Sequence, residues 1–191
     1  MIVEKSMIWM YGGAFNPPTI AHHNIMLAIQ KKYPRDKIFV VPVGDHYNKS
    51  NLVPFHHRKA MLLEMDPSLE IVELEQHIPF QGTIHTLKYL KEKTGDDVGF
   101  VIGADQLNSI HHWIEYEKLF RDFKVMIITR PNYDMIPYEA MLKSMDCKYE
   151  VIQLSLNISS TSFRETMNEQ LIHQHVLSYI KKHHLYEESH V

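Results

Sequence analysis

Apolar residues along this chain fall into short unbroken runs, separated by stretches in which they recur every three or four positions. The runs at residues 7–11, 38–42, 98–102 and 124–129 are continuous rather than alternating, which predicts strands buried on both faces. A fifth run at 69–74 has charges interspersed, and a sixth lies at 151–154. Between them, Ala21, Ile25, Ala28 and Ile29 predict a helix over 21–32 that Pro34 closes. Ala60, Met61 and Leu63 predict one over 56–65, stopped by Pro67, and Leu87 and Leu90 one over 83–93, ended by Gly95. Shorter helices are predicted over 113–120 and 138–145, then two more over 160–167 and 172–184, with 187–191 reading as a frayed tail. Strands alternating with helices predict an α/β protein whose parallel sheet is covered by helices on both faces. No linker or internal repeat interrupts the pattern, so one domain is expected over 1–191, with a helical C-terminal portion from about 158. In such sheets ligands bind beyond the carboxyl ends of the strands, which directs attention to the turns after the first, fourth and sixth.

Composition narrows the function without naming it. The 191 residues are 45% hydrophobic and 23% charged, which excludes wholesale disorder. No apolar stretch reaches the ~18 residues of a membrane span, and Glu4 and Lys5 interrupt the N-terminal run where a secretory signal would be continuous. The single cysteine, Cys147, excludes an internal disulfide and a multi-cysteine zinc site and suits a cytoplasmic location. A net charge of −3 gives no general footprint for nucleic acid or an anionic membrane, so any phosphate site must be a local cluster. Fourteen histidines stand out, several as adjacent pairs. Neighbouring side chains point in different directions and chelate poorly, and no HExxH is present, so no protein metal site is expected. The histidines, His57 and His85 among them, read as structural or surface residues, with His22 the exception.

Two strand ends carry candidate chemistry. The first strand runs into GGAFNPPTIAHH, residues 12–23. Gly12 and Gly13 let backbone N–H groups approach a ligand, the prolines stiffen the loop, and the helix beginning near Thr19 turns its free N–H groups towards it. His22, in the first turn, aims an imidazole at the same place. The alternative is an ordinary strand–turn–helix with a cap and a surface histidine. The sixth strand runs into NISSTSFRE, residues 157–165. Ser162 with Glu165 fits a capping box. The same hydroxyls and Arg164 could instead clamp a polyphosphate, with the guanidinium offering paired donors.

Taken together, these segments resemble the signature pair of the (T/H)xGH nucleotidylyltransferases, and most of all the nicotinate/nicotinamide mononucleotide adenylyltransferases. Lys49, HHRKAML at 56–62, TIHTL at 83–87, GADQ at 103–106, Trp113 and ITRP at 128–131 extend the likeness in order along nearly the whole chain. The resemblance implies a Rossmann-like fold of nucleotidylyltransferase type and transfer of an adenylyl group from ATP to a pyridine mononucleotide. It implies His22, Thr19 and Arg164 as catalytic residues. Gly12, Gly13, Ala14, Phe15, Gly103, Asp105, Ile158, Ser159, Ser160 and Thr161 would join His22 and Arg164 in binding ATP, with Asp105 on the ribose or else a helix cap. Asn16, Lys49, Arg58, Thr83, Thr86 and Trp113 would bind the mononucleotide. Lys49 and Arg58 have a second reading as solvated surface residues, and Trp113 as a core residue. Mg²⁺ would be held mainly by the ATP phosphates, and a homo-oligomer is left open. Asn16, Thr19 and Ala21 stand where the nicotinate branch has Asp, His and Gly, a spelling nearer the nicotinamide branch. Length, TIHTL and Trp113 match the nicotinate branch, and nicotinate mononucleotide is the expected acceptor. A different acceptor, such as a phosphopantetheine- or phosphocholine-type substrate, and a nucleotide-binding module without turnover are the other readings.

Overall fold

The computed structural model describes residues 6–47, 51–155 and 158–187. Its centre is a six-stranded, all-parallel sheet. In chain order the elements are β1 (Met7–Gly13), α1 (Ile20–Lys32), β2 (Lys37–Pro42), α2 (Phe55–Met65), β3 (Glu70–Ile71), α3 (Leu74–His77), α4 (Thr83–Thr94) and β4 (Asp97–Gly103). A 3₁₀ segment (Ala104–His112) follows, then α5 (Tyr116–Asp122), β5 (Lys124–Thr129), α6 (Ile136–Ser144), β6 (Tyr149–Gln153), α7 (Ser160–Thr166), a short 3₁₀ turn (Glu169–Leu171) and α8 (Gln174–Lys182). The strands lie in the order β3-β2-β1-β4-β5-β6. The chain thus reverses its direction of growth between β1 and β4, and a crevice opens beyond their carboxyl ends.

The continuous apolar runs are explained by the two cores they separate. Successive strand residues point to opposite faces. Ile8, Met10 and Phe100 meet Ile84, Leu87, Leu119 and Leu142 from α4, α5 and α6. Trp9, Tyr11, Val40 and Met126 meet Met26, Ile29, Met61, Leu62, Phe163, Val176 and Ile180 from α1, α2, α7 and α8. The C-terminal helices are therefore part of the second core.

Three expected elements differ. The strand expected over 69–74 pairs only through Glu70 and Ile71, at the sheet edge, and the chain then turns into α3, which lacks a periodic signal because it is a single turn. The helix expected over 113–120 begins at Tyr116, with Trp113 as the closing residue of the preceding 3₁₀ segment. The capping box expected at Ser162 and Glu165 is replaced by Ser159, whose hydroxyl accepts from the Ser162 N–H. Of the tail, 188–191 lie outside the described residues, as does Lys49.

Several histidines hold α8 in place. The His23 Nδ1 and His173 Nε2 atoms are 2.9 Å apart, joining α1 to the start of α8. The His57 Nδ1 lies 2.9 Å from the Tyr179 hydroxyl, joining α2 to its middle.

Candidate active site

A cleft of about 870 Å³ runs along the carboxyl edge of the sheet. Its middle is formed by the ends of β1 and β4, with Gly12, Gly13, Ala14, Gly103 and Asp105, and by Ala21 and His22 of α1. Towards β2 and β3 it is walled by Tyr47, Glu75, Phe80, Thr83 and Trp113. Towards β5 and β6 it is walled by Ile128, Thr129, Arg130, Tyr133 and Ile158. Strand order alone therefore makes two lobes on either side of the β1–α1 turn.

The most informative residue is His22. The Thr19 backbone N–H donates to its Nδ1 at 2.9 Å. An N–H can only donate, so Nδ1 is an acceptor and the ring proton sits on Nε2. The Thr19 hydroxyl, 2.8 Å from the same atom, then donates to it as well. Burial holds the imidazole pKa down to about 4, so the ring stays neutral near pH 7. The Phe15 and Tyr11 rings support it, with centroids 5.2 and 6.3 Å from its own. The result is one oriented Nε2–H donor on a cleft wall beside glycine-rich backbone.

This geometry corrects several expected roles. Thr19 is fully buried and gives its hydroxyl to His22, so it positions the imidazole rather than touching a phosphate. Phe15 is 1% exposed, and its side chain belongs to the core, so only its backbone is left to approach a nucleotide. Asn16 is 2% exposed and occupied on both sides. Its amide donates to the Asn51 carbonyl, and its Oδ1 accepts from the Val53 N–H and the Tyr186 hydroxyl. It fastens the loop before α2 and the chain end to the β1–α1 turn instead of binding an acceptor.

Arg58 is the largest correction. It has no solvent exposure and is neither a surface residue nor a cleft residue. It donates to the Val53 carbonyl at 2.7 Å, the Ala14 carbonyl at 3.1 Å and Asp45 Oδ1 at 3.2 Å. The same Asp45 oxygen accepts from the Phe55 N–H at the start of α2. A buried cation thus braces the loop before α2 against the β1–α1 turn, which forms part of the middle of the cleft. Thr86 likewise stands behind the wall and donates to Glu75 Oε1 at 3.0 Å, while Thr83 and Trp113 do line the cleft.

In the segment after β6, Ile158 lines the cleft, while Ser159, Ser160, Thr161 and Arg164 sit outside its lining. Ser159 caps α7, and the Ser160 hydroxyl donates to the Pro17 carbonyl. Arg164 donates to the Asn16 carbonyl at 2.5 Å and to the Thr161 hydroxyl. These contacts moor α7 against the β1–α1 turn and leave Arg164 further N–H donors for a phosphate. Lysine keeps the charge but not the fork. Arg164→Lys is expected to raise several-fold the KM of a polyphosphate substrate held there and to leave the KM of the second substrate nearly unchanged. Initial rates over both substrates check this, and an equal rise in both constants would mean general collapse of the site.

Asp105 is exposed on the cleft wall and is not a helix cap, since Gly103 occupies that position. A Cβ on Gly103 would sit 2.4 Å from Asp105 Oδ1, so a larger residue there would displace this folded-back carboxylate. Sequence reading gave no role to Glu75, to Tyr133 or to Arg130, which entered only within ITRP. Arg130 and Tyr133 follow β5, another strand carboxyl end, and that position is the signal that could have found them. Glu75 sits on the single-turn helix α3, which has no signal.

The fold and this crevice define an open α/β protein of Rossmann-like type with its site at the carboxyl edge of a parallel sheet. The cytidylyltransferase-like family model matches residues 10–166. A protein of Acholeplasma laidlawii named "Probable nicotinate-nucleotide adenylyltransferase" is 37% identical over 188 residues, covering 95% of this chain and 98% of its own. One of the same name from Sulfurimonas denitrificans is 33% identical over 156 residues, 79% of this chain and 85% of its own. The Plasmodium falciparum nicotinic acid mononucleotide adenylyltransferase complexed with NaAD superposes with a TM-score of 0.78 at 28% identity, covering 95% of this chain and 97% of that one. The chain belongs to the cytidylyltransferase-like nucleotidyltransferases, in the nicotinate-nucleotide adenylyltransferase family.

Proposed function

We propose that this protein transfers the adenylyl group of ATP to nicotinate mononucleotide, giving deamido-NAD and pyrophosphate in NAD biosynthesis in the cytoplasm. The observation that carries the reading is the neutral His22, with its Nε2–H donor fixed by Thr19 at the junction of two lobes. ATP lies towards β5 and β6, its ribose at Gly103 and Asp105 and its phosphates at Gly12–Ala14 and His22. The mononucleotide lies towards β2 and β3, its pyridine ring against Trp113 and Thr83.

An oxygen of the mononucleotide phosphate attacks the α-phosphorus of ATP, and the bond to the β-phosphate oxygen breaks, so pyrophosphate leaves with the bonding electrons. The nucleophile is already an anion, so no protein nucleophile or base is needed. The chain supplies in-line placement of two phosphates and donors for the charge that builds at the α-phosphate. His22 suits that task, being a neutral Nε2–H donor whose charge does not change near pH 7. Around it the cleft offers backbone N–H groups rather than a carboxylate cage, which fits a Mg²⁺ held mainly by phosphate oxygens and water. When bound, that ion offsets phosphate charge.

The spelling of Asn16 and Thr19 bears little on the acceptor, because both side chains are spent inside the protein. The retained orientation of His22 argues for turnover over a silent binding module. Pyrophosphate release with ATP, Mg²⁺ and each mononucleotide in turn is the test. The expected kcat/KM is roughly 10- to 100-fold higher for the nicotinate form. A constant for nicotinamide mononucleotide equal or higher would reverse the acceptor assignment, and no release with either would remove the reaction.

A further inference from the structure

The lobe assigned to the pyridine ring carries one carboxyl group among aromatic and hydroxyl side chains. Glu75 is 7% exposed and lines the cleft beside Tyr47, Phe80, Thr83 and Trp113. Its place is rigid. Thr86 donates to Oε1, and a Cβ on Gly44 would lie 1.9 Å from the Glu75 carbonyl oxygen, so α3 packs directly on the backbone of the β2–α2 loop. Gln76 bonds to Asp45 from the same turn. Among the described residues, Oε2 has no hydrogen-bond or ion-pair partner. This carboxyl group lines the lobe assigned above to the pyridine ring.

Resting on the acceptor reading above, we propose that Glu75 is a specificity-determining residue that reads the pyridine 3-substituent, donating its proton to a carboxylate when protonated and accepting from a carboxamide NH₂ when ionised. No covalent step is involved: the Glu75 proton stays on Oε2 while shared with nicotinate, and its loss to solvent exchanges the preference. Burial pushes this carboxyl up to about 7, opposed by the Thr86 hydroxyl, so both forms are present near neutrality. The surrounding titratable groups do not fix its state by contact. Asp45 is bound to Arg58 and Gln76, Glu73 is paired with Lys59 at 2.6 Å, and Tyr47, Asp105, His112 and Arg130 line the same cleft without bonding to Glu75. His77 on α3 and His85 on α4 also have no bond to it.

The test measures kcat/KM for nicotinate and nicotinamide mononucleotide from about pH 6 to 8.5, in the wild type and Glu75→Gln, spanning the ionisation. Both acceptors carry the same phosphate and meet the same ATP, so their ratio cancels the ionisations of the phosphate and of the groups that act on ATP, and Glu75→Gln isolates the contribution of this carboxyl. The wild-type ratio of nicotinate to nicotinamide is expected to fall about 10-fold or more across this range, since a hydrogen bond to a charged acceptor is replaced by repulsion. Glu75→Gln should give a flat ratio with the KM for ATP unchanged. A flat wild-type ratio, or one that falls equally in Glu75→Gln, overturns the proposal. Turnover with neither acceptor overturns it together with the acceptor reading. Thr86→Val provides a check that keeps the carboxyl: losing a donor to the anion should move the midpoint to higher pH, and an unmoved midpoint overturns the proposal.

Discussion

His22→Ala is expected to lower turnover about 30- to 1,000-fold, the roughly 2–4 kcal/mol associated with one preorganised donor at a developing charge. Two features place the effect on kcat rather than on folding. The ring is on a cleft wall, and what its removal leaves without an acceptor is the fixed Thr19 N–H and the Thr19 hydroxyl, which can rotate. The melting temperature should therefore fall little, by the equivalent of about 1 kcal/mol. The pH profile carries a second expectation. A group whose folded pKa is lowered binds fewer protons when folded, and His22 stays neutral until the pH approaches about 4. The kcat profile should then show no loss attributable to His22 near its ordinary value of 6.5. Unchanged kcat in a folded His22→Ala protein would remove the residue from catalysis, and an acid limb near 6.5 that disappears in the variant would contradict the lowered pKa.

Arg58→Met is expected to cost about 2–4 kcal/mol of stability. The substitution keeps the length and apolar body of the side chain but leaves the Val53 and Ala14 carbonyls without their donor, at about 1–3 kcal/mol for each buried group. For a chain of this size that is a fall in melting temperature of about 5–15 °C. Because Ala14 lies on the cleft and Asp45 also caps α2, the KM values for both substrates should rise together. The converse result, an unchanged melting temperature with only the mononucleotide KM raised, would make Arg58 a direct ligand and contradict its burial. Thermal melts and a two-substrate rate matrix on one preparation distinguish the two.

The sequence by itself determined the layers and the position of the crevice. A strand buried on both faces must be apolar at consecutive positions, and a covering helix must be apolar every third or fourth, so β1, β2, β4 and β5 and the helices between them are local properties of the text. Gly12, Gly13 and His22 were legible for the same reason, since a turn, a helix start and the first helical turn are neighbours in sequence. Whether a side chain faces the ligand or the interior was decided only by tertiary structure. Arg58 and Asn16 look like ligands in a linear reading, yet their partners lie up to 44 and 170 residues away. Long-range packing places those acceptors, and a buried guanidinium or amide must then satisfy them. Glu75 was invisible for the complementary reason. A carboxylate on a one-turn helix looks like surface, and only the closure of Gly44 and Thr86 over α3 removes it from water and turns it towards the cleft.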